Sequence, residues 1–205
     1  MILCDVGNTS YDFLDGERTF KKSVKDFNPE RINQKVFYIC VNAQIKPLLQ
    51  KLDNWIDISV CVDMKKYYDT MGVDRIFACE AISNGVVVDA GSAITVDVVR
   101  DGVFEGGFIY PGIAAMQKTY KNISSLLDYS FNFELKLDIM PKNSKDAISY
   151  GYLKTLYGEV ISHNMDIFLT GGDAKRFAKL FSDATIDKNI IFNGMKKIIK
   201  EADIC

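Results

Sequence analysis

Short apolar runs alternate with polar turns along the chain, and their lengths predict alternating strands and helices. The first run, Met1–Cys4, is followed by β-like segments at 11–14 and 19–24, with Asp15-Gly16 as the predicted hairpin turn between these two. The rest of the first half predicts a helix that begins at Asn28-Pro29-Glu30, a strand at 36–41, a helix at 45–52, a strand at 56–62 and a helix at 73–83.

The second half repeats this order, beginning with strands at 86–88, 94–100 and 103–108 and a second hairpin turn at Asp101-Gly102. It continues with predicted helices at 113–127 and 144–163, a strand at 165–169, a helix at 174–181, a strand at 189–192 and a helix at 194–202. Because the same order of elements occurs twice, the pattern predicts a duplicated α/β fold. We expect an N-terminal lobe over residues 1–75 and a C-terminal lobe over residues 76–205.

The composition is that of an ordinary globular protein, with 48% hydrophobic and 25% charged residues. A net charge of −2 argues against sequence-independent binding of nucleic acid, which needs a basic excess. No apolar run approaches the roughly 20 residues of a membrane span, and Asp5 interrupts the first run too early for a secretory signal. The five scattered cysteines predict reduced, mostly buried thiols and a cytoplasmic location. The single histidine, His163, excludes a His-rich metal site.

Two predicted strands end in an acidic residue that is followed by a glycine turn and a hydroxyl side chain. The two turns are Asp5-Val6-Gly7-Asn8-Thr9 and Asp89-Ala90-Gly91-Ser92-Ala93. Backbone N–H groups of such a turn can face phosphate oxygens, the hydroxyl can donate a hydrogen bond, and the carboxylate can reach a cation. A carboxylate that only caps a turn is the alternative for each copy alone. Two copies that open the two halves favour a duplicated fold that binds one phosphate chain from both sides.

A third candidate for phosphate binding is Thr170-Gly171-Gly172-Asp173, since the chain has neither a P-loop nor a dinucleotide fingerprint. Its two glycines let the backbone lie flat against a planar ring such as adenine, and the helix that follows favours anions at its N-terminus. A tight strand-to-helix turn with Asp173 as the N-cap is the alternative. In Gly106–Gly112, adjacent glycines indicate either close approach to a neighbour or a β-bulge.

The remaining cluster is Gly72-Val73-Asp74-Arg75, which lies between the two glycine turns. A carboxylate beside a guanidinium can serve as a general base next to an anion-binding group. The alternative is a helix cap at Asp74 with a solvated charge at Arg75.

Together these segments resemble the type III pantothenate kinases, a family in the superfamily of acetate and sugar kinases, heat-shock chaperones and actin. The matching segments stand in the family's order at Asp5–Thr9, Gly72–Arg75, Asp89–Asp97, Gly106–Gly112 and Thr170–Ala174. The first and third alone would indicate only the superfamily, whereas the Gly-x-Asp-Arg segment is specific to this kinase type. The resemblance implies an α/β fold of two ribonuclease-H-like lobes, with mixed sheets flanked by helices, and a homodimer.

The resemblance also implies ATP-dependent phosphorylation of pantothenate, the first step towards coenzyme A, with Asp74 as the general base. The ATP-binding residues that it implies are Asp5, Val6, Gly7, Asn8, Thr9, Ser10, Tyr11, Asp12, Ser92, Gly171 and Gly172. The pantothenate-binding residues that it implies are Tyr68, Gly72, Val73, Asp74, Arg75 and Ser144. Magnesium is implied at Asp5 through the phosphates, and a monovalent cation, K⁺ or NH₄⁺, at Asp89.

The sequence departs from the family pattern at a few of these positions. Ser92 and Ser144 stand where the family carries threonines, which keeps each hydroxyl group. Both Tyr67 and Tyr68 lie near the expected substrate tyrosine, and we favour Tyr68. The residues after Thr9 lack the basic side chain that many members carry there.

Two alternatives to a kinase use the same fold. One is a non-catalytic ATP-binding regulator, an accessory factor for transcription, and the other is a phosphatase or nucleotide hydrolase. Four intact residues favour the enzyme over the regulator, because a binding module needs no general base; they are Asp5, Asp74, Arg75 and Asp89. A hydrolase leaves Gly72–Arg75 without a role.

Overall fold

The computed structural model describes residues 1–204, which fold into two compact units. The first unit comprises Met1–Ile82 together with the chain from Asn189 onward, and the second comprises Ser83–Lys188. The boundary expected after residue 75 falls inside a helix, Val73–Glu80, that lies wholly within the first unit. None of the helices formed by residues 1–204 is long and apolar enough to cross a membrane.

Strands and helices follow one another in the order that the sequence pattern predicts, with a few exceptions. The strands are β1 Ile2–Val6, β2 Ser10–Asp15, β3 Arg18–Ser23, β4 Val36–Cys40, β5 Trp55–Asp57, β6 Gly85–Ala90, β7 Ala93–Arg100, β8 Val103–Pro111, β9 Ile167–Thr170 and β10 Thr185–Ile186. The α-helices are α1 Lys46–Leu49, α2 Val73–Glu80, α3 Ile113–Ile123, α4 Ser144–Ser162, α5 Ala174–Phe177 and α6 Ile190–Glu201.

The first unit is built on a mixed sheet with the strand order β3-β2-β1-β4-β5. Strand β1 is antiparallel to β2 and parallel to β4, and the Asp15-Gly16 turn joins β2 to β3 as predicted. Successive side chains alternate between the two faces of the sheet, and one face carries an apolar core. The buried residues of this core are Ile2, Cys4, Val6, Tyr11, Phe13, Val36, Tyr38, Cys40, Leu49 and Trp55.

The second unit contains a second mixed sheet, with the strand order β10-β9-β6-β7-β8. Strand β6 is antiparallel to β7 and parallel to β9, so β6 occupies the place that β1 has in the first sheet. Each half of the chain therefore builds three antiparallel strands followed by two parallel ones, and the predicted duplicated α/β fold is confirmed. Helix α4 contributes Tyr152, Leu153, Leu156 and Val160 to the core of this unit.

Helix α6 packs against α2 within the first unit. Its side chains Ile190, Met195 and Ile198 are buried, and their spacing places them on one face of the helix. Gly194 lies against the backbone of Phe77 in α2, where any side chain would collide with the Phe77 carbonyl group. The close approach of the two helices therefore depends on a glycine at this position.

Several predicted elements differ in the structure. The strand predicted at 189–192 is wrong: Ile190 and Phe192 are buried residues in the first turn of α6, and the helical context outweighs their preference for strands. The strand predicted at 56–62 ends at Asp57, whose side chain accepts a hydrogen bond from the Ser59 N–H at 2.9 Å and begins a 3₁₀ turn. The helix predicted from Asn28 is a single 3₁₀ turn, Pro29–Arg31.

Candidate active site

The first glycine turn joins β1 to β2 and is held by hydrogen bonds. The Gly7 N–H donates to the Ser10 carbonyl at 2.9 Å, which closes the turn. The Asn42 amide donates to the Asn8 carbonyl at 3.3 Å and fixes the tip of the turn from the neighbouring loop. Asn8 and Thr9 are exposed, so the tip is open to a ligand. Such a fixed, open turn is suited to contact with phosphate oxygens.

Asn42 supports this turn, although the sequence pattern predicts no role for it. The side chain is buried, and its Oδ1 accepts hydrogen bonds from the N–H groups of Gln44 at 3.0 Å and Ile45 at 3.2 Å ahead of α1. An asparagine just before a short predicted helix is a signal for an N-cap. That signal does not reveal the bond to Asn8, which is 34 positions away in the sequence.

Asp5 belongs to a row of charged residues that crosses one face of the first sheet. Asp5 stands opposite Asp12, and Asp12 stands opposite Lys21. The Lys21 ammonium lies 3.1 Å from Asp12 Oδ1, and the Ser10 hydroxyl donates to Asp12 Oδ2 at 2.9 Å. Directly opposite residues point to the same face of a sheet, so Lys21 places a positive charge in the row that contains Asp5.

Val6 and Tyr11 point away from this row. Both side chains are fully buried in the apolar core on the opposite face of the sheet. Of the segment 5–12 that the family resemblance assigns to ATP, these two residues therefore have only backbone groups to offer a ligand.

The donor atoms of the row suit a magnesium ion that is also bound by phosphates. Carboxylate oxygens such as those of Asp5 and Asp12 are the hard ligands that Mg²⁺ prefers, and this ion commonly takes one or two of them together with substrate phosphates. Among residues 1–204 there is no cluster of three or more His, Cys, Asp or Glu side chains placed to hold a metal.

Helix α2 begins with the Gly72–Arg75 segment and places Asp74 in its first turn. The Asp74 carboxylate accepts a hydrogen bond from the Arg75 N–H at 2.8 Å, and a Cβ at Gly72 would lie 2.5 Å from the same carboxylate oxygen. Burial raises the pKa of Asp74, while the hydrogen bond from the Arg75 amide and the charge of Arg75 act in the opposite direction. A carboxylate with a raised pKa can accept a proton more readily near neutral pH.

Arg75 lies beside Asp74 and is held by Tyr68. Arg75 is 6% exposed, and its Nη1 donates to the Tyr68 hydroxyl at 2.5 Å. The guanidinium carbon lies 5.8 Å from the centre of the Tyr68 ring, within the range of a cation–π contact. The Tyr68 side chain is 42% exposed, so the buried guanidinium is bonded to a residue at an accessible surface. The neighbouring Tyr67 hydroxyl donates elsewhere, to Glu80 Oε1 at 2.9 Å.

The second glycine turn follows β6 and packs against the Gly171 segment. Asp89 is next to last in β6, and Ser92 beyond it is exposed. The Asp173 N–H donates to the Ala90 carbonyl at 2.9 Å. Gly171 has a φ of +84°, and a Cβ there would lie 2.6 Å from the Ala90 carbonyl oxygen. Two segments separated in sequence thus meet at the carboxyl end of one strand.

In the Gly106–Gly112 segment, one glycine lies close to a neighbouring segment and another lies at a β-bulge. Gly112 lies against the second glycine turn, where a Cβ would come within 2.6 Å of the Gly91 carbonyl oxygen. Gly106 lies where the register of β7 and β8 shifts between Val98 and Val99, which marks a bulge. Close approach therefore explains the last glycine of the segment, and a β-bulge explains the first.

Asp173 stands at the N-cap position of α5, as in the alternative of a strand-to-helix turn, but its side chain does not cap the helix. Its side chain makes no hydrogen bond to the start of α5 and lies 3.2 Å from Arg176 Nη1 instead. Helix α5 ends at Phe177, so the helix predicted at 174–181 is only four residues long. Gly172 has no neighbour within 4 Å of an added Cβ, which leaves open space beside this turn. Open space beside Gly172 is compatible with a bound ring.

Ser144 is the first residue of α4 in the second unit, and it is exposed. Asn143 caps this helix by accepting a hydrogen bond from the Asp146 N–H at 2.9 Å. The cap fixes the backbone at Ser144 and leaves its hydroxyl accessible.

Two sheets of equal strand order, each with an acidic residue and a glycine turn at the end of its central strand, define an actin-like ATPase fold. A solved protein from Sinorhizobium meliloti, described as a 2-dehydro-3-deoxygalactonokinase, shares this fold with a TM-score of 0.57 at 10% identity over 98% of this chain and 96% of that one. The family model of the type III pantothenate kinases matches residues 30–163. The chain belongs to the type III pantothenate kinase family.

Individual relatives are similar to this chain over nearly its whole length. The type III pantothenate kinase of Sulfurimonas denitrificans is 62% identical over 205 residues and is covered completely, as is this chain. The enzyme of the same name from Campylobacter jejuni is 43% identical over 203 residues, which are 98% of this chain and 97% of the relative. A solved Campylobacter jejuni protein described as a Baf family transcriptional activator has a TM-score of 0.90 at 42% identity, with full coverage of both chains.

Proposed function

We propose that this protein transfers the γ-phosphoryl group of ATP to the primary hydroxyl of pantothenate and forms 4'-phosphopantothenate and ADP. The acceptor side of this proposal is supported by the start of α2, where a carboxylate of raised pKa lies beside a buried arginine that is bonded to the exposed Tyr68. A general base next to an anion-binding group is what an acceptor with a hydroxyl at one end and a carboxylate at the other requires. A transcriptional regulator on this fold needs neither group.

Asp74 acts as the base in this proposal. The pantothenate hydroxyl oxygen forms a bond to the γ-phosphorus while the bond from that phosphorus to the ADP oxygen breaks in line, and the hydroxyl proton passes to the Asp74 carboxylate. Arg75 and Tyr68 hold the pantothenate carboxylate, with Gly72 and Val73 lining the same surface. Arg75 is suited to this because its planar guanidinium can make two parallel hydrogen bonds to a carboxylate.

ATP binds through the two glycine turns in this proposal. Asp5 would hold magnesium together with the phosphates, and the ion would supply positive charge to offset that of the transferring group. Backbone groups of the first turn, the Ser92 hydroxyl and the flat backbone at Gly171 and Gly172 contact the nucleotide. Asp89 would hold the monovalent cation, and Ser144 would provide a further hydroxyl for pantothenate.

A homodimer and a cytoplasmic location complete the proposal. Large apolar side chains are exposed on the second unit, with Ile123 at 68% and Leu126 at 79%, and a second copy of the chain would cover such a surface. The thiols of Cys4, Cys40 and Cys79 are buried, as expected in a reducing compartment. Cys205 lies outside the described residues.

The proposed activity predicts release of ADP from ATP that depends on both pantothenate and magnesium. We also expect the rate to rise when potassium or ammonium replaces sodium, because Asp89 would then bind its preferred cation. A coupled assay for ADP, run with and without pantothenate in each salt, measures both effects. An absence of pantothenate-dependent turnover under all of these conditions would rule out the kinase and favour the regulator.

The Arg75→Ala variant should raise the KM for pantothenate on the order of tenfold or more, since it removes a charged hydrogen-bond donor from the acceptor. The KM for ATP should change little. The control is Arg100→Ala, which removes an exposed arginine that is paired with Glu105 at 3.0 Å in the second unit. An unchanged pantothenate KM in Arg75→Ala would exclude Arg75 from the acceptor site.

A further inference from the structure

Glu80, the last residue of α2, is a buried carboxylate with several partners. Its side chain is 6% exposed. Oε1 accepts a hydrogen bond from the Tyr67 hydroxyl at 2.9 Å and lies 3.5 Å from the Lys66 ammonium. Oε2 accepts a hydrogen bond from Lys197 in α6 at 3.0 Å, and the same ammonium donates to the Glu80 carbonyl at 2.9 Å. Glu80 thus joins α2, α6 and the segment ahead of α2.

A carboxylate in this position needs these partners. Burial alone raises the pKa of Glu80, but the hydrogen bonds from Lys197 and Tyr67 and the charges of Lys197 and Lys66 outweigh burial and leave the pKa below its usual value. The carboxylate is therefore ionised near neutral pH and makes charge-assisted hydrogen bonds, which are stronger than neutral ones. An apolar residue would fill the same space without ordering the segment that contains Tyr67.

Consecutive tyrosines reach opposite ends of α2. Tyr67 bonds to Glu80 at the end of the helix, and Tyr68 bonds to Arg75 in its first turn. Backbone bonds from Tyr67 N–H to Met64 at 3.2 Å and from Met71 N–H to Tyr68 at 3.0 Å hold the segment in two turns. Because the two tyrosines share one peptide bond, fixing the first restricts where the second can lie.

We propose that Glu80 is a positioning residue for the acceptor site. Through Tyr67 it holds segment 64–71 against α2, and this places the Tyr68 hydroxyl on Arg75. This role rests on the proposed function. In it, Glu80 and Tyr67 influence pantothenate binding without touching the substrate themselves. Lys197 fixes the Glu80 carboxylate from α6.

A double-mutant cycle of Tyr67→Phe and Tyr68→Phe tests this coupling. Each substitution removes one hydroxyl and leaves the ring in place. Tyr67→Phe should raise the KM for pantothenate about fivefold, with kcat and the KM for ATP within about twofold of the parent. In the Tyr68→Phe background, Tyr67→Phe should add almost nothing, because the hydroxyl that it positions is already gone.

Two controls separate the outcomes. Tyr157→Phe removes a hydroxyl from α4 in the second unit and should leave the pantothenate KM unchanged. Amide hydrogen exchange over residues 64–71 needs no substrate, and Tyr67→Phe should accelerate it at least about fivefold. Additive effects in the cycle, or unchanged exchange in Tyr67→Phe, would overturn the positioning role. An absence of pantothenate-dependent turnover in the parent protein would count against the proposed function. The exchange measurement would still show whether the bond between Tyr67 and Glu80 holds segment 64–71 in place.

Discussion

Replacing Asp74 by Asn should lower kcat on the order of 10³-fold, because a positioned general base contributes about 10²–10⁴ to such reactions and an amide cannot accept the proton. The fold should remain intact, since the Asn side-chain carbonyl can still accept the hydrogen bond that the Arg75 N–H donates at 2.8 Å. The rate of ADP release measures the first effect, and the thermal midpoint measures the second.

Asp63→Asn is the matched control for Asp74. Asp63 also caps a turn of the first unit, by accepting a hydrogen bond from the Lys65 N–H at 3.1 Å, and it is exposed. If Asp74 were only a cap, the two substitutions would have equally small effects on turnover. A near-normal rate in Asp74→Asn would remove the base from the proposed reaction.

The pH dependence follows from the raised pKa of Asp74. The base works as the carboxylate, so activity is present above its pKa and is lost as the pH falls through it. Burial, the largest influence, raises that pKa in the folded protein. The acid limb of kcat/KM should therefore lie above the value of about 3.9 that is usual for an aspartate. Because Asp74→Asn has no carboxylate to titrate, its residual activity should lack this limb.

Gly171→Ala should disrupt ATP binding and also destabilise the second unit. A φ of +84° costs a residue with a Cβ roughly 1–2 kcal/mol, and the new methyl group would press on the Ala90 carbonyl oxygen at 2.6 Å. Relief of this clash must move either β6, which carries Asp89, or the turn itself. We expect the KM for ATP to rise by at least about tenfold and the thermal midpoint to fall by several degrees.

Gly158→Ala is the control for the glycine substitution. Gly158 lies inside α4 with no atom within 4 Å of an added Cβ, so alanine should fit and should stabilise the helix by about 1 kcal/mol. If Gly171→Ala bound ATP as well as Gly158→Ala does, the packing of Gly171 on Ala90 would have no part in the nucleotide site.

Local sequence signals predicted most of the strands and both glycine turns. The Asp15-Gly16 hairpin also determines the register of β2 and β3, and with it the pairing of Asp12 with Lys21. A register counted outward from the turn would have shown this pair before the structure did. Such signals succeed because the residues that interact are close in sequence.

Contacts between distant residues could not be predicted in this way. Glu80 and Lys197 are 117 positions apart, and the sequence around each of them does not predict their ion pair. The prediction of a strand at 189–192 also failed, since Ile190 and Phe192 are buried residues of a helix that packs against α2, which is distant in the sequence. The choice between Tyr67 and Tyr68 likewise depended on which ring lies near Arg75, a matter of tertiary contact.

The packing of Gly194 on Phe77 means that α2 is complete only after α6 has been synthesised. The ribosome releases the chain from its N-terminus, so α2, which carries Asp74, emerges long before α6, which packs against it. Lys197 in α6 follows Glu80 in α2 by 117 residues. Until α6 has emerged, α2 lacks the surface on which Phe77 and Glu80 rest. A nascent chain can therefore contain every residue of the proposed chemistry and still not be a catalyst. Translation that stops before α6 would release a protein with its base on an unsupported helix.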